Sequence, residues 1–138
     1  MKGTYEHNVD AKGRLFIPTK LRDELGDNFV MTKGLDGCLS LYSQKNWAIM
    51  EEKIAALPSS KARSLQRYFF SNAMDCEPDS QGRVVIPQVL REFAGITKAV
   101  VVIGIVDKAE IWDAEKWRPY NESIDEEDVL KSMEELGI

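Results

Sequence analysis

Two stretches of this chain are close to the same stretch. One reads Asp10-Ala-Lys-Gly13-Arg14-Leu-Phe-Ile17-Pro18-Thr-Lys-Leu21-Arg22-Asp-Glu-Leu-Gly26. The other begins 69 residues on and reads Asp79-Ser-Gln-Gly82-Arg83-Val-Val-Ile86-Pro87-Gln-Val-Leu90-Arg91-Glu-Phe-Ala-Gly95. Asp, Gly, Arg, Ile, Pro, Leu, Arg and the closing Gly recur in register. After a one-residue slip, Gly34 meets Gly104, Tyr42 meets Trp112 and Trp47 meets Trp117. An internal repeat of this length constrains the architecture more than any local pattern does. The chain reads as one module written twice.

Each part of the module has a physical reading. Asp, two small or polar residues and then Gly is turn chemistry: the carboxylate accepts from nearby backbone N–H groups, and Gly13 or Gly82 takes a positive φ. Leu15 to Ile17 and Val84 to Ile86 are strand-forming and stop at Pro18 and Pro87, which cannot donate to a ladder but suit a helix's first turn. Leu21 and Leu25, like Leu90 and Ala94, lie four apart on one helical face, and Gly26 and Gly95 close each short helix. The expected unit is strand, Asp-x-x-Gly turn, strand, short helix, β-hairpin.

Around these cores, Thr4 to Val9 reads as a strand entering the first turn. Asn28 to Lys33 and Leu39 to Tyr42 flank a Gly34-Leu-Asp36-Gly37 hairpin signal. Ser43 is the expected N-cap of a helix over 44–56, in which Trp47, Met50, Ile54 and Leu57 follow a three-to-four residue period. Pro58-Ser59-Ser60 breaks it and caps a second helix, with Ala62, Leu65 and Phe69 on one face. In the second copy Asn72 to Glu77, Ala99 to Ile103 and Glu110 to Trp112 read as strands, and Asp113 opens a helix. The tail from Asn121 has a thin apolar stripe of Val129, Met133 and Leu136, expected as a short docked helix or a partly disordered segment.

The net charge of −5 counts against a polyanion partner only until its distribution is read. Residues 119–138 hold seven acids against one base, Lys131, while residues 1–118 hold 17 bases and 16 acids. Within that larger part, residues 11–22 carry Lys12, Arg14, Lys20 and Arg22 with no acid, and residues 53–74 carry Lys53, Lys61, Arg63 and Arg67 with none. That asymmetry suggests a polyanion-facing surface and a separate acidic tail. No apolar run approaches a membrane span and the start lacks a signal-peptide core. Cys38 and Cys76 fall outside any metal spacing and read as packed thiols in a reducing cytoplasm.

Catalytic chemistry has little to stand on. The one histidine, His7, lies within a strand, and no phosphate-binding loop, Gly-x-Ser-x-Gly, Cys-x-x-Cys or His-Glu-x-x-His is present. No catalytic residue, metal ligand or cofactor is expected. Asp10 and Asp79 each stand four residues before an arginine. One reading is a turn tied by a salt bridge and nothing more. The other is binding: an arginine fork pairs bidentately with a phosphate or a guanine edge, and the aspartate would hold its rotamer.

Asp10-Ala-Lys-Gly-Arg14 with Ile17-Pro18, and Asp79-Ser-Gln-Gly-Arg83 with Ile86-Pro87, resemble the signature of the MraZ family of bacterial transcription regulators. Phe69-Phe70-Ser71 and Glu110-Ile111-Trp112 support the resemblance, which spans Gly3 to about Trp117. The modules are similar to the SpoVT-AbrB swapped-hairpin DNA-binding fold. The resemblance implies an α+β chain of two tandem swapped-hairpin modules, interleaved into one pseudo-symmetric β-barrel core with a two-helix connector. It implies module 1 at 5–47, connector at 48–75, module 2 at 76–119 and acidic tail at 120–138. It further implies a ring-shaped homo-oligomer, associated with the nucleoid. Such a ring binds repeated boxes of double-stranded DNA upstream of the division and cell-wall gene cluster that holds its own gene, generally as a repressor. Arg14 and Arg83 are then the motif arginines, Asp10, Asp79, Gly13 and Gly82 their partners, and Lys12, Lys20, Arg22 and Arg91 flanking DNA contacts. Gln81 replaces Lys12 and Val89 replaces Lys20 in the second copy, so the second module is the less basic. A ring-forming scaffold without DNA contact is the alternative, and RNA binding a third.

Overall fold

The structure, a computed structural model, describes residues 1–138. The first copy supplies β1 (Lys2–Asn8), β2 (Arg14–Phe16), α1 (Thr19–Leu25), β3 (Phe29–Lys33) and β4 (Leu39–Ser43). The connector is α2 (Gln44–Ala55) and α3 (Ser59–Leu65), the latter widening into a π-helical turn at Gln66–Phe70. The second copy supplies β5 (Met74–Cys76), β6 (Arg83–Val85), α4 (Gln88–Ala94), β7 (Ala99–Ile105), β8 (Lys108–Asp113) and α5 (Ala114–Glu122), and α6 (Glu126–Leu136) forms the tail. The class is α+β, with every strand pair antiparallel.

Six strands form one sheet in the order β1-β7-β8-β4-β3-β5, and β2 pairs with β6 in a separate two-stranded ribbon. Exchanging each strand for its counterpart (β1 with β5, β3 with β7, β4 with β8) turns that order into its own reverse. The duplication in sequence thus becomes a duplication in space. The copies also exchange strands: β1 of the first pairs with β7 of the second, Tyr5 opposite Val102, while β5 of the second pairs with β3 of the first, Val30 opposite Asp75.

The expected β-barrel core is met only in part, because the sheet is not closed. β1 and β5 are the two edges of an open sheet and do not pair with one another. At Asp10 and Asp79 the chain turns out of the sheet, and its continuation is spent on the ribbon that covers the core from the far side. Leu15 and Val84 of the ribbon, Leu21, Leu25, Leu90 and Ala94 of the short helices, and Phe29, Met31, Leu41, Val100 and Ile111 of the sheet all join one cluster of 19 buried residues. Ile17 and Ile86 are fully buried in it, each stabilising the fold by about 1.5–3 kcal/mol. Both copies contribute throughout.

The other face of the sheet is covered by helices. Trp47 of α2 packs against Tyr42 and Phe70, with ring centroids 5.6 and 4.7 Å away, and Trp117 of α5 packs on Trp112 at 5.3 Å. Ser43 caps α2 as expected, its hydroxyl accepting from the Asn46 N–H at 3.2 Å. The Tyr68 hydroxyl donates to the Gly34 carbonyl at 2.6 Å and fastens the π-helical turn to the first hairpin.

Several local expectations are corrected. Pro58 itself stands at the start of α3 and no serine side chain caps it. Gly26 ends α1 at φ 88 and ψ 179, extended beyond the left-handed well that Gly95 occupies at φ 64 and ψ 27. The strand expected at Asn72 to Glu77 shortens to Met74–Cys76, because the π-helical turn and its own Ser71 cap use the preceding residues. Gly104 faces Ala109 across its hairpin as Lys33 faces Leu39 across the other, so Gly104 takes the place of Lys33 and not that of Gly34. The tail is a formed helix whose residues are all exposed, with Val129, Met133 and Leu136 lining only a shallow cleft beside Tyr120 and Ile124.

Candidate nucleic-acid interface

The Asp-x-x-Gly-Arg turn closes on itself in both copies. In the first, the Asp10 N–H donates to the Arg14 carbonyl at 2.9 Å and the Gly13 N–H to the Asp10 carbonyl at 3.0 Å. One Asp10 carboxylate oxygen accepts from the Lys12 and Arg14 amides at 2.9 and 2.8 Å, and the other from Arg14 Nε at 2.7 Å. The second copy repeats this arrangement, with Asp79 accepting from the Gln81 and Arg83 amides at 2.9 Å each and from Arg83 Nε at 3.0 Å. These bonds favour the ionised carboxylates. The Arg14 amide, then its guanidinium and the Lys12 amide, hold Asp10 below its usual range; the Arg83 amide, then the Gln81 amide and the Arg83 side chain, do the same for Asp79.

Each motif arginine therefore binds its aspartate through Nε and leaves both terminal amino groups without a partner in the chain. Neither lies at the tip of its turn. Arg14 and Arg83 open β2 and β6, with side chains 30% and 28% exposed. The ribbon's register then brings the two copies' arginines together. Leu15 faces Val84 on the buried side, while Arg14 opposite Val85 and Phe16 opposite Arg83 make up the outward side. Arg14 and Arg83 are diagonal neighbours on one face, with Cα atoms about 7–8 Å apart.

The other basic residues divide into two kinds. Lys12 on the turn and Lys20 on α1 are exposed, without a hydrogen-bond or ion-pair partner in the chain. Arg22 and Arg91 are half-buried clamps. Arg22 Nε donates to the Ile17 carbonyl at 3.0 Å and Arg91 Nε to the Ile86 carbonyl at 2.9 Å. Their guanidinium groups lie against the opposite copy's turn glycine, Arg22 on Gly82 and Arg91 on Gly13. The backbones cross over as well, the Ile17 N–H donating to the Gly82 carbonyl at 3.0 Å and the Ile86 N–H to the Gly13 carbonyl at 2.8 Å. Gly13 and Gly82 both sit at φ 78, so they serve the turn and leave room for the clamp.

Sequence reasoning missed Phe16 and His7, whose rings meet at 5.3 Å beside the ribbon, and the stacking of Arg22 at 5.4 Å from the Phe16 ring. The signal available for the clamp was the co-repetition of Gly13 with Arg22 and of Gly82 with Arg91. Cys38 and Cys76 are buried free thiols, each pushed up to about 12 by burial, and take no part in a site.

Chemically, the ribbon presents two oriented guanidinium forks on its outward face, with Lys12 exposed on the adjoining turn. Forks of this kind match the acceptor pair of a phosphate or of a guanine edge. B-DNA's major groove, about 12 Å wide, admits a two-stranded β-ribbon.

Comparison with known proteins gives relatives along the whole chain. The family model described as MraZ protein matches the chain twice, over residues 1–67 and 69–136, one match per copy. A relative from Caldicellulosiruptor bescii, named transcriptional regulator MraZ, is 50% identical over 140 residues, covering 99% of this chain and 98% of its own length. Proteins of the same name from Clostridium beijerinckii and Halothermothrix orenii are 51% and 48% identical over the same shares of both chains. Matched along both halves by the family model and end to end by its relatives, this chain belongs to the MraZ family.

Proposed function

We propose that this protein is a DNA-binding transcriptional regulator whose β2–β6 ribbon enters the major groove. The observation that carries the reading is the pairing of Arg14 and Arg83 on one outward face, each held at Nε by its aspartate with both amino groups free. The name transcriptional regulator, borne by relatives about half identical over their whole length, supports it. The role is repression of the division and cell-wall gene cluster through repeated boxes upstream of its own gene, in the cytoplasm and on the nucleoid. No catalytic step or cofactor enters.

The reading treats the chain as two swapped-hairpin modules, at 5–47 and 76–119, joined by the connector at 48–75, with the acidic tail at 120–138. The crossed pairings β1–β7, β3–β5 and β2–β6 support it. One chain offers one ribbon, and a handful of phosphate contacts binds weakly at physiological salt. A ring of chains would engage successive boxes with affinity raised by effective concentration.

A mobility-shift titration on the DNA upstream of the gene tests this. Arg14→Ala should lose specific binding, since a bidentate base contact contributes about 1–3 kcal/mol and several chains repeat the loss. Arg83→Ala should weaken binding less, because Gln81 and Val89 leave that side with fewer charges. Lys12→Ala should weaken all sequences alike and flatten the salt dependence. Specific binding that survives the Arg14→Ala and Arg83→Ala double change would refute the ribbon as the reading surface.

A further inference from the structure

The tail helix poses a question that DNA contact does not answer. Thirteen large hydrophobic residues are exposed on this chain, and seven of them lie in its last nineteen residues: Tyr120, Ile124, Val129, Leu130, Met133, Leu136 and Ile138. α6 is well begun, with the Asp125 carboxylate accepting from the Glu127 N–H at 2.9 Å and acids filling its first turn. Yet it has 11 residues and touches no buried surface. Isolated helices shorter than about 12–15 residues are marginal in water, and most helical stability comes from packing an apolar face. This helix has the face and lacks the packing.

A complementary face stands on α2. Lys45, Ile49 and Lys53 follow one another at four-residue spacing, so they form a single stripe of base, apolar, base, and Leu57 lies just past the end of the helix. Lys45 and Lys53 are exposed and unpaired, Ile49 is 41% exposed and Leu57 38%. α6 carries the same pattern with the opposite charge: Glu126, Leu130 and Glu134, again four apart, with Leu130 58% exposed, while Ile138 follows the left-handed Gly137 that ends the helix. Neither glutamate has an ion-pair partner in the chain. One flanking acid, Glu52, lies beside the α2 stripe and leaves its alternation intact. Within one chain no hydrogen bond or ion pair joins the two stripes.

We propose that α6 of one chain docks on the Lys45–Ile49–Lys53 face of α2 in a second copy of this chain. The two surfaces differ, so the contact is head-to-tail and every chain keeps one of each free for the next neighbour. Exposed ion pairs contribute little singly. The apolar residues between them supply the burial, and the charges set which face meets which. This deepens the assembly part of the proposed function.

The test is sedimentation velocity on full-length protein. The parent is expected to sediment as an oligomer. Lys45→Glu with Lys53→Glu should lose that peak, and so should Glu126→Lys with Glu134→Lys. An equimolar mixture of the two variants should regain it, because each then offers the face the other needs. Leu130→Glu should lose it irreversibly. Unchanged far-UV circular dichroism and a cooperative melt establish that the variants fold, since all these positions are solvent-exposed; some loss of melting temperature accompanies loss of assembly. A monomeric parent, variants that keep the parent's mass, or a mixture that stays dissociated would each overturn the proposal. Arg14-dependent mobility shifts on the same samples separate the two readings. A dissociated variant that retains weak Arg14-dependent binding leaves the DNA reading standing. A parent that assembles and swaps charges as described but binds no DNA defeats that reading alone.

Discussion

Gly82→Ala and Gly13→Ala form a matched experiment, because the backbone is the same at both positions and the surroundings are not. Each glycine sits at φ 78, so each alanine incurs the left-handed penalty of about 1–2 kcal/mol. A Cβ on Gly82 would lie 2.7 Å from Arg22 Cζ and 2.8 and 2.9 Å from its two terminal nitrogens, closer than carbon contacts tolerate. A Cβ on Gly13 would meet Arg91 Cζ at 3.1 Å, which a small shift relieves. Gly82→Ala therefore also displaces the Arg22 clamp from the Ile17 carbonyl, a charged hydrogen bond contributing about 1.5–3 kcal/mol where it is shielded and less at this half-exposed site. The expected losses are about 1–2 kcal/mol for Gly13→Ala and about 2–4 kcal/mol for Gly82→Ala. Urea unfolding followed by tryptophan fluorescence, at one fixed protein concentration, measures both. In an Arg22→Ala background the second glycine should lose its excess, a coupling of about 1 kcal/mol or more. Equal losses at the two glycines, or no coupling with Arg22, would refute the clamp.

Other outcomes follow from single features. Val106 is 83% exposed and held at φ 66, a backbone that β-branched residues avoid; Val106→Asn should raise stability by about 1 kcal/mol in the same urea assay. Asp10 and Asp79 have folded pKa values below their ordinary 3.8, so their contribution is complete above that pH and is lost as pH falls through the lowered folded values. Acid unfolding should accordingly be less steep in Asp10→Asn and Asp79→Asn than in the parent, although both variants start from lower stability at neutral pH. The thiols of Cys38 and Cys76, at about 12 and buried, should resist a thiol reagent in the native protein and react at a rate set by unfolding; prompt labelling at neutral pH would contradict the packing described.

Much of this protein was legible as sequence because its signals are local. An aspartate two and four residues before the amides it accepts, a glycine at positive φ and a proline that stops a strand act within one turn of chain. They specified the Asp10 and Asp79 turns, the short helices and the Ser43 cap without reference to anything distant. The repeat told more than any of them, since two copies of one apolar pattern must share a core. Tertiary structure decided the rest. Whether β1 and β5 would meet depended on which strands their neighbours chose, and pairing across copies left them at opposite edges of an open sheet. That Arg22 and Arg91 clamp the opposite turn, while Arg14 and Arg83 share an outward face, follows from the β2–β6 register, which joins residues 69 positions apart in like roles. A residue's type limits what bonds it can make. Which bond it does make is settled by the partner that folding brings within about 3 Å, and for the Ile17 and Ile86 amides that partner is the turn glycine of the other copy.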